Sequence, residues 1–98
     1  MPNATLIRKK TNERITVNKA EFKIGKERRK VDYCISDNTS ISRLHATIIY
    51  RNGSFYIVDN NATNGTSVNG SSLAANTEKA LAGNETIRLA DEEFIFRC

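Results

Sequence analysis

The chain has 98 residues and a mass of 11.0 kDa, with 15 basic and 11 acidic side chains for a net charge of +4. That length allows one small core, and 4 Val, 10 Ile, 5 Leu and 4 Phe are enough large apolar residues for a folded domain instead of a disordered segment. No apolar run approaches the ~18 residues of a membrane span, no apolar stretch near the start marks a signal peptide, and one His with two Cys is too few for a disulfide scaffold or a metal site.

Ile outnumbers Leu two to one and nine Thr are present, a β-rich balance. In chain order, residues 5–8, 14–17, 21–24 and 32–35 read as the first four strands. Residues 46–50, 55–58, 66–69, 86–89 and 93–96 continue the series. Cys34 falls at an apolar strand position, which predicts a buried and inert thiol. Asn-Gly occurs at 52–53, 64–65 and 69–70; both residues tolerate positive φ, and the first pair predicts a hairpin over 48–58. Only residues 73–81 have helical composition, enough for at most one turn of helix. Seven Asn-x-Ser/Thr sequences read as turn chemistry, because no secretory signal precedes them, and the chain reads as cytoplasmic. Many short strands with regular turns predict an all-β sandwich or barrel. The chain begins just before its first strand and stops just after its last, so residues 1–98 read as one domain cut from, or terminal in, a longer protein.

Three polar segments lie between the strands, where a rigid scaffold displays its binding residues. Residues 23–30 hold five cations, Lys23, Lys26, Arg28, Arg29 and Lys30, either a solvated loop or an electropositive rim for an anion. Gly25 permits a sharp exit from the strand and close approach of backbone to ligand. Residues 37–45 offer Ser42, Arg43 and His45, and a phosphate dianion needs such short hydroxyl donors beside fixed charge. Strand alternation would point Arg43 and His45 to the same side. A Ser42–His45 nucleophile is disfavoured, because no nucleophile elbow surrounds the serine, and His45 reads as a hydrogen-bonded strut. In residues 59–70, Asn64 and Asn69 each carry a donor and an acceptor that could pair with a peptide backbone as another strand would.

Taken in order, these segments resemble the forkhead-associated (FHA) domain, a phosphothreonine-binding β-sandwich. The pieces are Ile24-Gly25-Lys26, Val31-Asp32-Tyr33-Cys34-Ile35, Ser42-Arg43-Leu44-His45 and Phe55-Tyr56-Ile57-Val58-Asp59. They continue with Thr63-Asn64-Gly65-Thr66-Ser67-Val68-Asn69-Gly70, Ile87-Arg88-Leu89 and Phe94-Ile95-Phe96, so the likeness runs from about 22 to 96. It implies two twisted antiparallel sheets of ten or eleven short strands, with the ligand loops at one end. It also implies that Ser42 donates to phosphate, Arg43 adds charge, Thr63 shapes the phosphothreonine pocket and Asn64 holds the ligand backbone with support from Asn69. Gly25, His45 and Gly65 would hold the loops in shape.

One position departs from the family pattern: Gly-Arg is replaced by Gly25-Lys26, which keeps the charge and loses the bidentate fork. Arg28 and Arg29 are candidate auxiliary phosphate contacts. The implied function is non-catalytic recognition in signalling, without cofactor or metal, of a phosphothreonine-containing protein, a substrate of a Ser/Thr kinase. The competing readings are a phospho-independent scaffold or dimerisation domain, which would be expected to lose Ser42 and Asn64, and nucleic-acid binding through 23–30. The latter lacks interleaved stacking aromatics, with only Phe22 at its border. No membrane partner is implied.

Overall fold

The structure, a computed structural model, describes residues 3–98. Eleven strands are found among them: β1 (Ala4–Arg8), β2 (Glu13–Val17), β3 (Glu21–Gly25), β4 (Tyr33–Cys34), β5 (Ala46–Arg51), β6 (Ser54–Asp59), β7 (Thr66–Val68), β8 (Ser71–Ser72), β9 (Glu78–Leu81), β10 (Thr86–Leu89) and β11 (Glu92–Arg97). A 3-10 turn, Arg28–Lys30, separates β3 from β4. One sheet runs β2-β1-β11-β10-β7-β8 and the other β4-β3-β5-β6-β9. Their pairings are antiparallel except β3 with β4, which run parallel.

Alternation along the strands builds the core between the sheets. Ala4, Leu6 and Arg8 face inward from β1, as do Glu92, Phe94 and Phe96 from β11 and Phe55, Ile57 and Asp59 from β6. Phe55 meets Phe96 from the opposite sheet at 5.4 Å between ring centroids, and Tyr33 meets Phe94 edge-on at 6.4 Å. Ile35 and Ile41, both buried, root the long connection between β4 and β5 in this core. The expected hairpin is β5–β6, with Asn52 and Gly53 both at positive φ (52° and 83°) between the paired Arg51 and Ser54. Asn69 and Gly70 repeat that turn between β7 and β8 (50° and 85°), whereas Asn64-Gly65 lies in the crossing from one sheet to the other.

Three expectations are corrected. Residues 73–81 form no helical turn. Asn76 stands at a φ of 61° with its N–H on the Asp59 carbonyl (2.8 Å), and β9 then pairs along β6 with Leu81 buried. The helix-forming composition yields to an open sheet edge and a place in the core. Cys34 is half-buried, not buried, because β4 is a two-residue edge strand, and its thiol leans on the Lys26 carbonyl at 3.4 Å. Residues 42–45 precede β5 and do not alternate as a strand would, so Arg43 is exposed while His45 is wholly buried.

Candidate functional site

Three connections meet at one end of the sandwich, and His45 fastens two of them together. Its Nδ1 accepts the Ser42 N–H at 3.0 Å, and its Nε2 faces the Gly65 carbonyl oxygen at 2.8 Å. An amide donates and a carbonyl accepts, so the imidazole is neutral with its proton on Nε2. Burial pushes its pKa below the ordinary 6.5, against the Gly65 bond and the nearby Asp59 charge. The Ser42 hydroxyl is turned elsewhere, its Oγ accepting the Thr63 N–H at 3.0 Å. A Ser–His nucleophile needs the hydroxyl on the imidazole, and here the imidazole holds the serine's amide instead.

Gly25 makes the third connection fit. Lys26 N–H donates to the Ser42 carbonyl at 3.0 Å and Glu27 N–H to the Arg43 carbonyl at 3.1 Å, so the two backbones run in contact. A Cβ at Gly25 would collide with the Arg43 carbonyl oxygen and stand 2.7 Å from its carbon. The close approach that Gly25 allows is therefore to the protein's own chain, not to a ligand. Gly25→Ala is expected to cost about 1–3 kcal/mol of stability in urea titration and to weaken ligand binding, because Arg43 must move. On the far side, Asn64 Nδ2 donates to the Ser40 carbonyl at 2.9 Å. Lys26, Ser42, Arg43, Thr63 and Asn64 thus share one open cleft of about 470 Å³, walled in addition by residues 39–41 and Leu44.

The fold has known counterparts. The FHA domain model matches residues 22–90. The chain belongs to the FHA domain family. An FHA domain studied for its phosphothreonine-dependent interactions aligns with 99% of this chain and 97% of its own, at 28% identity and a TM-score of 0.87. The FhaA FHA domain, complexed with the intracellular domain of Rv3910, aligns over 96% and 99% at 27% identity and a TM-score of 0.83. Mycobacterium tuberculosis EmbR, in complex with a low-affinity phosphopeptide, aligns with 97% of this chain at 25% identity and a TM-score of 0.88, and the chain spans 24% of its length. No curated protein matches by sequence.

In this FHA domain not every expected residue reaches the cleft. Asn69 lies outside it, with its Oδ1 on the Thr86 N–H at 2.9 Å and its own N–H on the Thr86 carbonyl at 2.8 Å. Its amide extends the β7–β10 ladder by one step. Arg28 and Arg29 are exposed on the 3-10 turn, also outside the cleft. Gly65, at a φ of 76°, gives its carbonyl to His45 and to the Ala90 N–H at 3.0 Å.

Two supports went unread in the sequence. Buried Asp59 takes the Thr66 hydroxyl at 2.6 Å and the Ala62 N–H at 3.3 Å, closing the 60–65 loop onto β7. Arg8, buried at 5% exposure, grips Glu92 with Nε to Oε1 at 2.9 Å and Nη2 to Oε2 at 2.8 Å, and reaches Asp37 at 2.8 Å. Asn38 Nδ2 bonds both Asp91 and Glu92 (2.7 and 3.0 Å). Together these bonds tie residues 37–38, just ahead of the cleft, to the opposite sheet. The signal was present: Arg8 and Glu92 are in phase with the inward residues of their strands, and a charge in core phase implies a buried partner.

No helix among the described residues is long and apolar enough to cross a membrane.

Proposed function

We propose that this FHA domain binds protein segments carrying phosphothreonine, without catalysis, and so joins two proteins only after a Ser/Thr kinase has marked one of them. The observation behind this reading is the cleft that gathers Lys26, Ser42, Arg43, Thr63 and Asn64. A phosphate dianion is held best by charge-assisted bonds from short donors. Because Ser42 Oγ accepts from Thr63, its own proton points away from that bond and is free to donate to a phosphate oxygen. Arg43 and Lys26, both exposed, supply charge, the lysine as a point charge without a fork. Asn64 keeps one N–H and its carbonyl oxygen after bonding Ser40, enough to pair with the ligand's main chain. Leu44, half-buried in the cleft wall, offers carbon to the threonine methyl. A methyl contact of this kind is worth about 1 kcal/mol against phosphoserine. A cytoplasmic location suits a kinase substrate as partner.

Calorimetry with a phosphothreonine peptide, its phosphoserine analogue and the unphosphorylated peptide tests the reading. The expected order is phosphothreonine, then phosphoserine, then no measurable binding. Equal binding of all three, or of none, would overturn it. Ser42→Ala and Asn64→Ala should each lose about 1.5–3 kcal/mol of binding while the folded domain persists in circular dichroism.

A further inference from the structure

We propose that the 3-10 turn Arg28–Lys30 is a second recognition surface, which selects phosphothreonine segments carrying further negative charge two to four residues from the mark. This rests on the phosphothreonine reading of the cleft and extends it to the class of ligand.

Charge is not spread evenly over this domain. Lys26, Arg28, Arg29, Lys30 and Arg43 are five cations against the single carboxylate of Glu27, which accounts for the whole net charge of +4. The remaining ten cations and ten carboxylates balance. Of the other ten cations, Arg8, Lys9, Lys10, Lys19 and Arg51 are neutralised in place by neighbouring carboxylates. Among the described residues none of Lys26, Arg28, Arg29, Lys30 and Arg43 has an ion-pair partner, although a flexible side chain finds one readily when a carboxylate is near. Arg28, Arg29 and Lys30 are exposed, and no hydrogen bond holds their side chains.

The turn that carries them is fixed. Lys30 N–H closes it on the Glu27 carbonyl at 2.9 Å, and Glu27 N–H fastens it to the Arg43 carbonyl at 3.1 Å, in the connection that holds Ser42. The backbone that carries these cations is therefore held beside the phosphate position, within reach of their long side chains. Arg28 lies two residues beyond Lys26, about 6–7 Å of extended chain, and the 3-10 turn adds only about 2 Å per residue as far as Lys30, a span of roughly 6–11 Å that an extended ligand covers in two to four residues. The chemistry recognised is added negative charge, whether from Asp and Glu or from a second phosphate. A nucleic acid would meet the same cations, but the turn presents no aromatic face for a base, and Phe22 at its approach is buried in the core.

Fluorescence anisotropy of the whole domain tests this with five probes. They are a phosphothreonine peptide with neutral flanks, versions with three Glu on the N-terminal or the C-terminal side, a doubly phosphorylated version, and a single-stranded oligonucleotide. At about 50 mM salt one acidic-flank peptide and the doubly phosphorylated peptide should bind roughly three- to tenfold tighter than the neutral one, and the gain should fade as salt screens it. The triple variant Arg28→Gln, Arg29→Gln, Lys30→Gln should no longer distinguish them. If the neutral phosphothreonine peptide binds but no flank matters, the turn is ordinary surface and the inference fails while the cleft stands. If neutral phosphothreonine is not bound at all, the cleft reading itself fails. An oligonucleotide that competes as well as the acidic phosphopeptide overturns the inference in favour of a general polyanion surface.

Discussion

Arg8→Met is expected to lower the stability of the domain by about 3–5 kcal/mol in urea titration, because it strands the Glu92 carboxylate inside the sandwich. The two form a bidentate pair with both side chains almost wholly buried. Removing both charges is a different perturbation. Arg8→Met with Glu92→Met should recover most of the loss, since well-packed apolar side chains often equal a buried pair. The double variant, however, takes Arg8 from Asp37 and leaves Asn38 Nδ2 only its bond to Asp91, so its affinity for a phosphopeptide should fall even where its stability does not. The pH dependence has a definite sign. The hydrogen bonds from Arg8 hold the Glu92 carboxyl below its ordinary 4.5, against the opposing push of burial. A lowered folded pKa means that this stability is present above about 4.5 and is lost as pH falls through the folded value. The wild-type midpoint should drop below that pH, and the double variant should be less sensitive there.

The second large effect is at His45. His45→Ala opens a cavity beneath the loops and leaves the Ser42 N–H without its acceptor and the Gly65 carbonyl with the Ala90 N–H alone, an expected loss of about 2–5 kcal/mol. Mild acid should produce a weaker form of the same injury in the wild type. The folded pKa lies below the unfolded one, so the unfolded chain takes up the proton first. Stability present above about 6.5 is then lost as pH falls towards the folded value. Protonation also removes the lone pair that receives the Ser42 N–H. His45 is the one histidine of the chain, so its ring proton resonance needs no assignment. It should titrate below 6.5, together with the Ser42 amide. A midpoint at or above 6.5 would contradict the buried, neutral strut. Phosphopeptide binding falls in the same range through the phosphate's own second ionisation near 6, so the amide shift of the free domain is the cleaner reading.

These two residues show where the sequence was legible. The ladders were visible because β-branched runs and Asn-Gly turns act locally, and nine of the eleven strands coincide with the runs read from the chain. The other two, β8 and β9, are short edge pieces, exposed but for Leu81, whose partners supply the order that their own residues do not. Ser42, Arg43 and Asn64 stood out as candidates because hydroxyl, guanidinium and amide chemistry is written in residue type, and the fold brings them to one cleft. The inward phase of Arg8 and Glu92 announces buried charges, but which partners they meet lies in contacts 29 and 84 residues apart. Asn69 shows the converse: an amide fit to clamp a ligand is engaged within the protein, on Thr86. Residue type declares what a side chain can bond, and only the fold decides with whom.

The cleft is fastened before any ligand arrives. Ser42 is held through its amide by His45 and through its hydroxyl by Thr63, Asn64 is latched to Ser40, and Lys26 is stitched to Ser42. The ordering of these loops belongs to folding, and encounter with a ligand need not wait for it. Association can therefore be a single step at a rate set by diffusion and by the local positive field, with no slow rearrangement behind it. The lifetime of the complex then rests on how quickly the phosphate leaves.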